Sequence, residues 1–181
     1  MNLMPDPLHP ALVHFPVVLI TLGSAVAVFA VFCRKGCVPA FAAVLLGLGA
    51  LGAWAALASG RSDGGLLENV SSQMESLLEA HEGWAERTLT AAVIAAVAAV
   101  GSALLVRFPR VARGVAVVAA LAAGVASYTV YETGHRGGAL VFKHGAGVSA
   151  TVSAPAADVA LKASESGSPK TKVPEKQPDR D

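Results

Sequence analysis

Four stretches of roughly 20 residues, almost free of charge, constrain this 181-residue chain more than anything else in it. They run over residues 11–32, 38–59, 88–106 and 111–131, and Arg113, at the edge of the last, is the one charged side chain among them. A helix crossing a hydrocarbon core of about 30 Å needs roughly 20 residues, so each stretch can span a bilayer, the last two with little tilt. A soluble helix of that length turns a polar stripe toward water, and these carry none. Composition points the same way, with 54% hydrophobic and 15% charged residues. A soluble domain carries about 25% charge. An ordinary cytosolic domain, a disordered chain and a secreted disulfide scaffold are thereby excluded, and a formal charge of +1 gives no reason to expect a nucleic-acid partner. The expected fold is all-α: an integral membrane four-helix bundle over residues 1–150, with the lipid bilayer as its first partner.

No Lys or Arg precedes Arg34, so the first stretch reads as a retained span and not a cleaved signal. Four crossings put the two short connections on one side. Arg34, Lys35, Arg107, Arg110 and Arg113 lie there with no acid, whereas the loop over 60–87 carries Glu68, Glu75, Glu79, Glu82 and Glu86. Positive loops stay in the cytoplasm. The expected location is therefore a bacterial inner (plasma) membrane, with both termini extracytoplasmic. Trp54, Trp84, Tyr128 and Tyr131 then fall in an aromatic belt near the outer face.

Leu67, Val70, Met74, Leu77, His81 and Trp84 recur at intervals of three and four, the signature of an amphipathic helix. It is expected to lie on the membrane surface or to extend the third span outward, with a bend at Gly83. The glycines from Gly134 to Gly147 are expected to let the chain fold back over the mouth of the bundle. Residues 151–181 read as a flexible extracytoplasmic tail, which from about Ser164 is Ser, Pro, Lys, Glu and Asp with nothing apolar to bury. Gly47, Gly49 and Gly52, and the Ala91, Ala95, Ala99, Ala103 series, supply the small faces on which membrane helices approach closely, within one bundle or across a dimer seam.

All five histidines, His9, His14, His81, His135 and His144, fall on the outer side of this topology. His9 and His14 flank the entry to the first span, His81 precedes the third, and His135 and His144 follow the fourth. Three helix ends thus present imidazoles at similar depth. Neutral imidazole is the commonest metal ligand, and paired histidines grip haem iron. The candidate cofactor-binding set is all five; His14, His81 and His144 are the candidate metal ligands. The alternative is that each caps a helix end or binds a carbonyl. Met74 shares the stripe of His81 but suits packing. Cys33 and Cys37 lack the redox CxxC and haem-attachment CxxCH spacings. No hydrolase triad, zinc-protease motif or intramembrane carboxylate pair is present, and the chain leans away from being an enzyme.

The run Leu8-His9-Pro10-Ala11-Leu12-Val13-His14-Phe15-Pro16, the His81-Glu82 pair, and the closing Gly137-Gly138-Ala139-Leu140-Val141 and His144-Gly145-Ala146-Gly147-Val148 together resemble the bacterial membrane proteins grouped as domain of unknown function 2231. The resemblance covers about residues 7 to 148. It implies four spans with these motifs on one side, and it implies His9, His14, His81 and His144 as motif positions, His135 fitting less clearly. It implies no activity. The leading expectation is a small redox-associated membrane protein that holds haem b or a transition-metal ion through its outer histidines, alone, as a homo-oligomer or beside other membrane redox proteins. The alternative is a non-catalytic scaffold or accessory subunit whose histidines are structural.

Overall fold

A computed structural model describes residues 9–34, 37–64 and 71–146. The tail over 151–181, Leu67 and Val70 of the apolar stripe, and Gly147 and Val148 of the closing motif lie outside them. The described residues are helical, without a strand: α1 (His9–Leu12), α2 (His14–Phe32), α3 (Val38–Gly64), α4 (Ser72–Leu104), a 3-10 turn over Leu105–Arg107, and α5 (Pro109–His144). The described residues hold four candidate spans, α1 and α2 together forming the first.

The helices pack in a closed ring in which α2 meets α3, α3 meets α4, α4 meets α5 and α5 returns to α2. The interior is built from small residues: Ala27, Ala42, Ala50, Ala92, Ala95, Ala99, Ala119, Ala123 and Ala126 are buried, and Ile20 and Leu46 are the largest fully buried side chains. The large apolar residues point outward, among them Phe29, Phe32, Leu51, Val97 and Leu121. So much contiguous exposed apolar surface is untenable in water and matches hydrocarbon. Of the small residues, Gly49, Gly52, Ala95 and Ala99 lie within the bundle, whereas Gly47 faces open space. A Cβ on Gly49 would stand 2.7 Å from Ile20 Cγ1, which shows how closely α2 and α3 approach.

Buried hydroxyls stitch this alanine core. Ser24 Oγ lies 2.7 Å from the Ile20 carbonyl, 2.8 Å from the Ala123 carbonyl and 2.8 Å from Ser127 Oγ, joining α2 to α5. At the end that carries the short connections, the Arg34 guanidinium donates to Ser102 Oγ at 3.0 Å and to the Ser102 carbonyl at 2.9 Å. Ser102 Oγ in turn donates to the Ala112 carbonyl at 3.0 Å.

Two sequence expectations need correction, and a third resolves to one of its two forms. The stripe from Met74 to Trp84 does not lie on the membrane: it extends the third span, as part of a helix that runs unbroken through Gly83. Ser71 starts that helix, its side chain accepting the Met74 N–H, a usual N-cap arrangement. The segment after Tyr131 does not fold back over the bundle. Helix α5 continues through Gly134, Gly137 and Gly138 to His144 and ends where Gly145 takes φ 68° and its N–H bonds the Val141 carbonyl, an αL stop. The run from Arg107 to Arg113 is not a loop throughout: after the 3-10 turn, Pro109 opens α5, so Arg110 and Arg113 stand on its first turns. At 1.5 Å per residue, α4 and α5 are roughly 50 Å long, about 20 Å more than a hydrocarbon core, and the excess lies at the ends away from the 3-10 turn, where the two run as an antiparallel pair.

Candidate functional site

The end of the bundle opposite the short arginine-rich connections, the outer end of the expected topology, brings two of the five histidines together. His9, on the one-turn α1, and His81, on the outer part of α4, have ring centroids 6.3 Å apart and planes crossing at 85°. Each ring is anchored through the same atom. His9 Nδ1 lies 2.8 Å from the Ala56 carbonyl and 3.2 Å from Ser59 Oγ, and Ser59 itself donates to Ala56. His81 Nδ1 lies 3.1 Å from the Thr133 carbonyl. A carbonyl only accepts, so both rings present Nδ1–H to it, and in the neutral form of each ring the lone pair is left on Nε2. A backbone carbonyl on the remote nitrogen is the usual partner that sets the tautomer of a ligating histidine.

Two glycines make room for the rings. A Cβ on Gly60 of α3 would stand 2.9 Å from His9 Cε1, and a Cβ on Gly137 of α5 would stand 2.9 Å from His81 Cε1. Gly134 and Gly138 on either side of Gly137 face open space. The glycine that read as a chain reversal is thus a seat for an imidazole in a continuous helix. His9 is also tied to α3 by its backbone N–H, which donates to Asp63 Oδ2 at 3.1 Å. Below His81, Thr88 Oγ1 and Thr133 Oγ1 meet at 3.1 Å, and Thr133 donates to the Thr129 carbonyl at 2.8 Å.

Charged residues strap α3 to α4 beside the pair. Arg61 bonds Glu82 at 2.5 Å through Nε and also binds Glu86 through Nη2. The hydrogen bond to Glu82 raises the Arg61 pKa against a smaller opposing effect of desolvation. All three side chains are about half exposed, so the strap orients the helices more than it stabilises them. Burial, followed by the neighbouring His9, holds the His81 pKa below its ordinary 6.5, although the Thr133 carbonyl and Glu82 pull the other way. His81 is thus favoured in its neutral form.

The other three histidines stand elsewhere. His14 and His144 are exposed, and so is His135, which stacks on Tyr131 with centroids 6.2 Å apart. Among the described residues no three His, Cys, Asp or Glu side chains stand close enough to hold a metal ion, so His14, His81 and His144 are not gathered into a three-ligand centre. Sequence reasoning missed Gly60, Arg61 and Asp63, and it read Gly137 as a point of chain reversal. The spacing of a glycine carries no mark of the ring that will lie against it, and Arg61 and its acids lie on different helices.

Four apolar spans with an imidazole pair at one end define a polytopic helical membrane protein. The family described as predicted membrane protein DUF2231 matches residues 5–150, and the chain belongs to it. Neither a curated protein nor a solved structure was found to match the chain.

Proposed function

We propose that His9 and His81 form the working site of a small redox-associated membrane protein, and that they bind one haem b or one transition-metal ion through their Nε2 atoms. One observation carries this reading: both Nδ1–H groups are committed to backbone carbonyls, with ring centroids 6.3 Å apart. His9 and His81 would together hold the group through Nε2, each ring fixed by its own carbonyl. Such a group would supply one-electron exchange. The chain holds the two rings in one tautomer, Gly60 and Gly137 let them seat, and the lowered pKa of His81 keeps protons from competing. His14, His135 and His144 serve in this reading as accessory imidazoles of the same face. The arginine-rich inner connections support a bacterial inner membrane with both termini outside, which would present the pair to extracytoplasmic redox proteins.

A second reading, a scaffold with structural histidines, draws on a different observation. Each ring is wedged against a glycine of a neighbouring helix, which also suits a staple joining α1 to α3 and α4 to α5. Five single His→Ala variants of protein purified from its native membranes separate the two, read by visible absorption, metal content and thermal stability. The ligand reading expects about one bound group per chain, lost in His9→Ala and His81→Ala while the helices still insert. A wild-type protein free of haem and metal, or five variants that all keep wild-type content, sinks it in favour of the scaffold. Each substitution would then cost only the roughly 0.5–1.5 kcal/mol of an ordinary hydrogen bond.

A further inference from the structure

A second cluster sits on the α4–α5 side of the outer end and has no part in the imidazole pair. Trp84 is fixed by Tyr128, with centroids 6.0 Å apart and planes at 76°. Two guanidiniums lie over its indole: Arg87 at 4.9 Å and Arg136 at 5.2 Å from the ring centroid. Measured through that shared ring, they are at most about 10 Å apart, within reach of one headgroup. Holding two cations this close costs repulsion that one ring offsets only in part, since a cation–π contact contributes about 0.5–1 kcal/mol at an exposed site.

Neither guanidinium hydrogen-bonds a protein acceptor among the described residues. Arg136 has Glu132 at 3.5 Å, and its Nε is buried without a hydrogen-bond partner. Arg87 has no ion-pair partner among them, whereas the nearby Arg61 takes both Glu82 and Glu86. Arg87 directly precedes Thr88, where the apolar part of α4 begins, and Tyr128 and Tyr131 are exposed at the matching level of α5. The two guanidiniums, Arg136 ion-paired to Glu132 and Arg87 with no ion-pair partner among the described residues, therefore stand at the boundary between hydrocarbon and water, where phospholipid phosphates lie. We infer that Arg87 and Arg136, positioned by Trp84, bind the phosphate of an anionic phospholipid, its acyl chains running along the exposed apolar surface of α4 and α5. The guanidinium fork suits phosphate oxygens, and Tyr and Trp at this depth favour an interfacial partner.

The test uses Trp84 as its own reporter. The chain has two tryptophans, so full-length Trp54→Phe protein in neutral detergent micelles leaves Trp84 as the single indole. Its fluorescence is titrated with phosphatidylglycerol carrying brominated chains, and with brominated diacylglycerol, which has the same chains and no phosphate. The phospholipid should reach half-quenching at a concentration about tenfold lower than the diacylglycerol, the equivalent of one charge-assisted hydrogen bond. Arg87→Gln and Arg136→Gln should each remove most of that preference, and Arg87→Lys should keep part of it. Circular dichroism checks that the variants remain folded, and Arg110→Gln, at the inner end, should quench like its parent. Equal quenching by the two lipids, or glutamine variants that retain the preference, overturns the inference. Displacement of the phospholipid by glycerol 3-phosphate at matching concentration would overturn the lipid assignment and leave a site for a soluble phosphate.

Discussion

Replacing Gly137 by alanine, beside the same change at Gly138, isolates what the imidazole seat contributes. Both glycines lie in the outer turns of α5, and each gains from the helix propensity of alanine by up to about 1 kcal/mol. At Gly138 a Cβ meets nothing within 4 Å, so the gain stands. At Gly137 it would stand 2.9 Å from His81 Cε1 and 3.4 Å from Nδ1, so the ring must move. Overpacking costs about 1–3 kcal/mol. Movement also stretches the 3.1 Å bond to the Thr133 carbonyl, an ordinary hydrogen bond of about 1 kcal/mol. Gly137→Ala should therefore destabilise by about 1–3 kcal/mol, and the neighbouring variants should differ by about 2–4 kcal/mol. The assay is unfolding in mixed micelles with a denaturing detergent, run as a double-mutant cycle with His81→Ala. Without the ring there is nothing to clash with, and Gly137→Ala should become neutral or stabilising. An equal penalty with and without the His81 ring would refute the reasoning.

Three further outcomes follow from the same contacts. Burial and His9 lower the folded-state pKa of His81, so the unfolded chain binds the proton more readily; stability should hold above the ordinary value of 6.5, fall as pH drops below it, and lose this dependence in His81→Ala, as denaturation at stepped pH would show. Ser24→Ala removes a hydroxyl shared by two carbonyls and Ser127, and should cost about 0.6 kcal/mol in the same unfolding assay, the average for a hydrogen bond between membrane helices. Cys37, exposed at the arginine-rich end, should resist impermeant thiol reagents in intact cells and react once the membrane is opened; labelling from outside would invert the proposed orientation.

The sequence made the spans legible because a bilayer asks only for length and absence of charge, which the four stretches display residue by residue. It also marked the helical character of 74–84 through the three-four spacing. The continuation of α5 past Tyr131 was hidden by Gly134, Gly137 and Gly138, each of which costs a helix about 1 kcal/mol relative to alanine. Packing of α5 against α4 overrides that local preference, as tertiary contacts commonly do. The histidines announced a face but not a pairing. What joins His9 to His81 is missing side chains at Gly60 and Gly137 and carbonyls at Ala56 and Thr133, and a backbone carbonyl has no letter in the sequence. The alanine periodicity on α4 was visible, yet the buried set is Ala92, Ala95, Ala96 and Ala99, the three-four stripe of a packed helix and not a strict series of fours.

The central claim, that His9 and His81 are held with protons on Nδ1 and free lone pairs on Nε2, is tested most directly by nitrogen-15 spectra of histidine-labelled protein in micelles above neutral pH. His9→Ala and His81→Ala spectra assign the two rings. The account predicts a protonated Nδ1 and an unprotonated Nε2 for both, with the Nε2 signals alone moving or broadening when haem or a metal ion is added. A protonated Nε2 on either ring, or Nε2 signals that stay fixed through the additions, would contradict it.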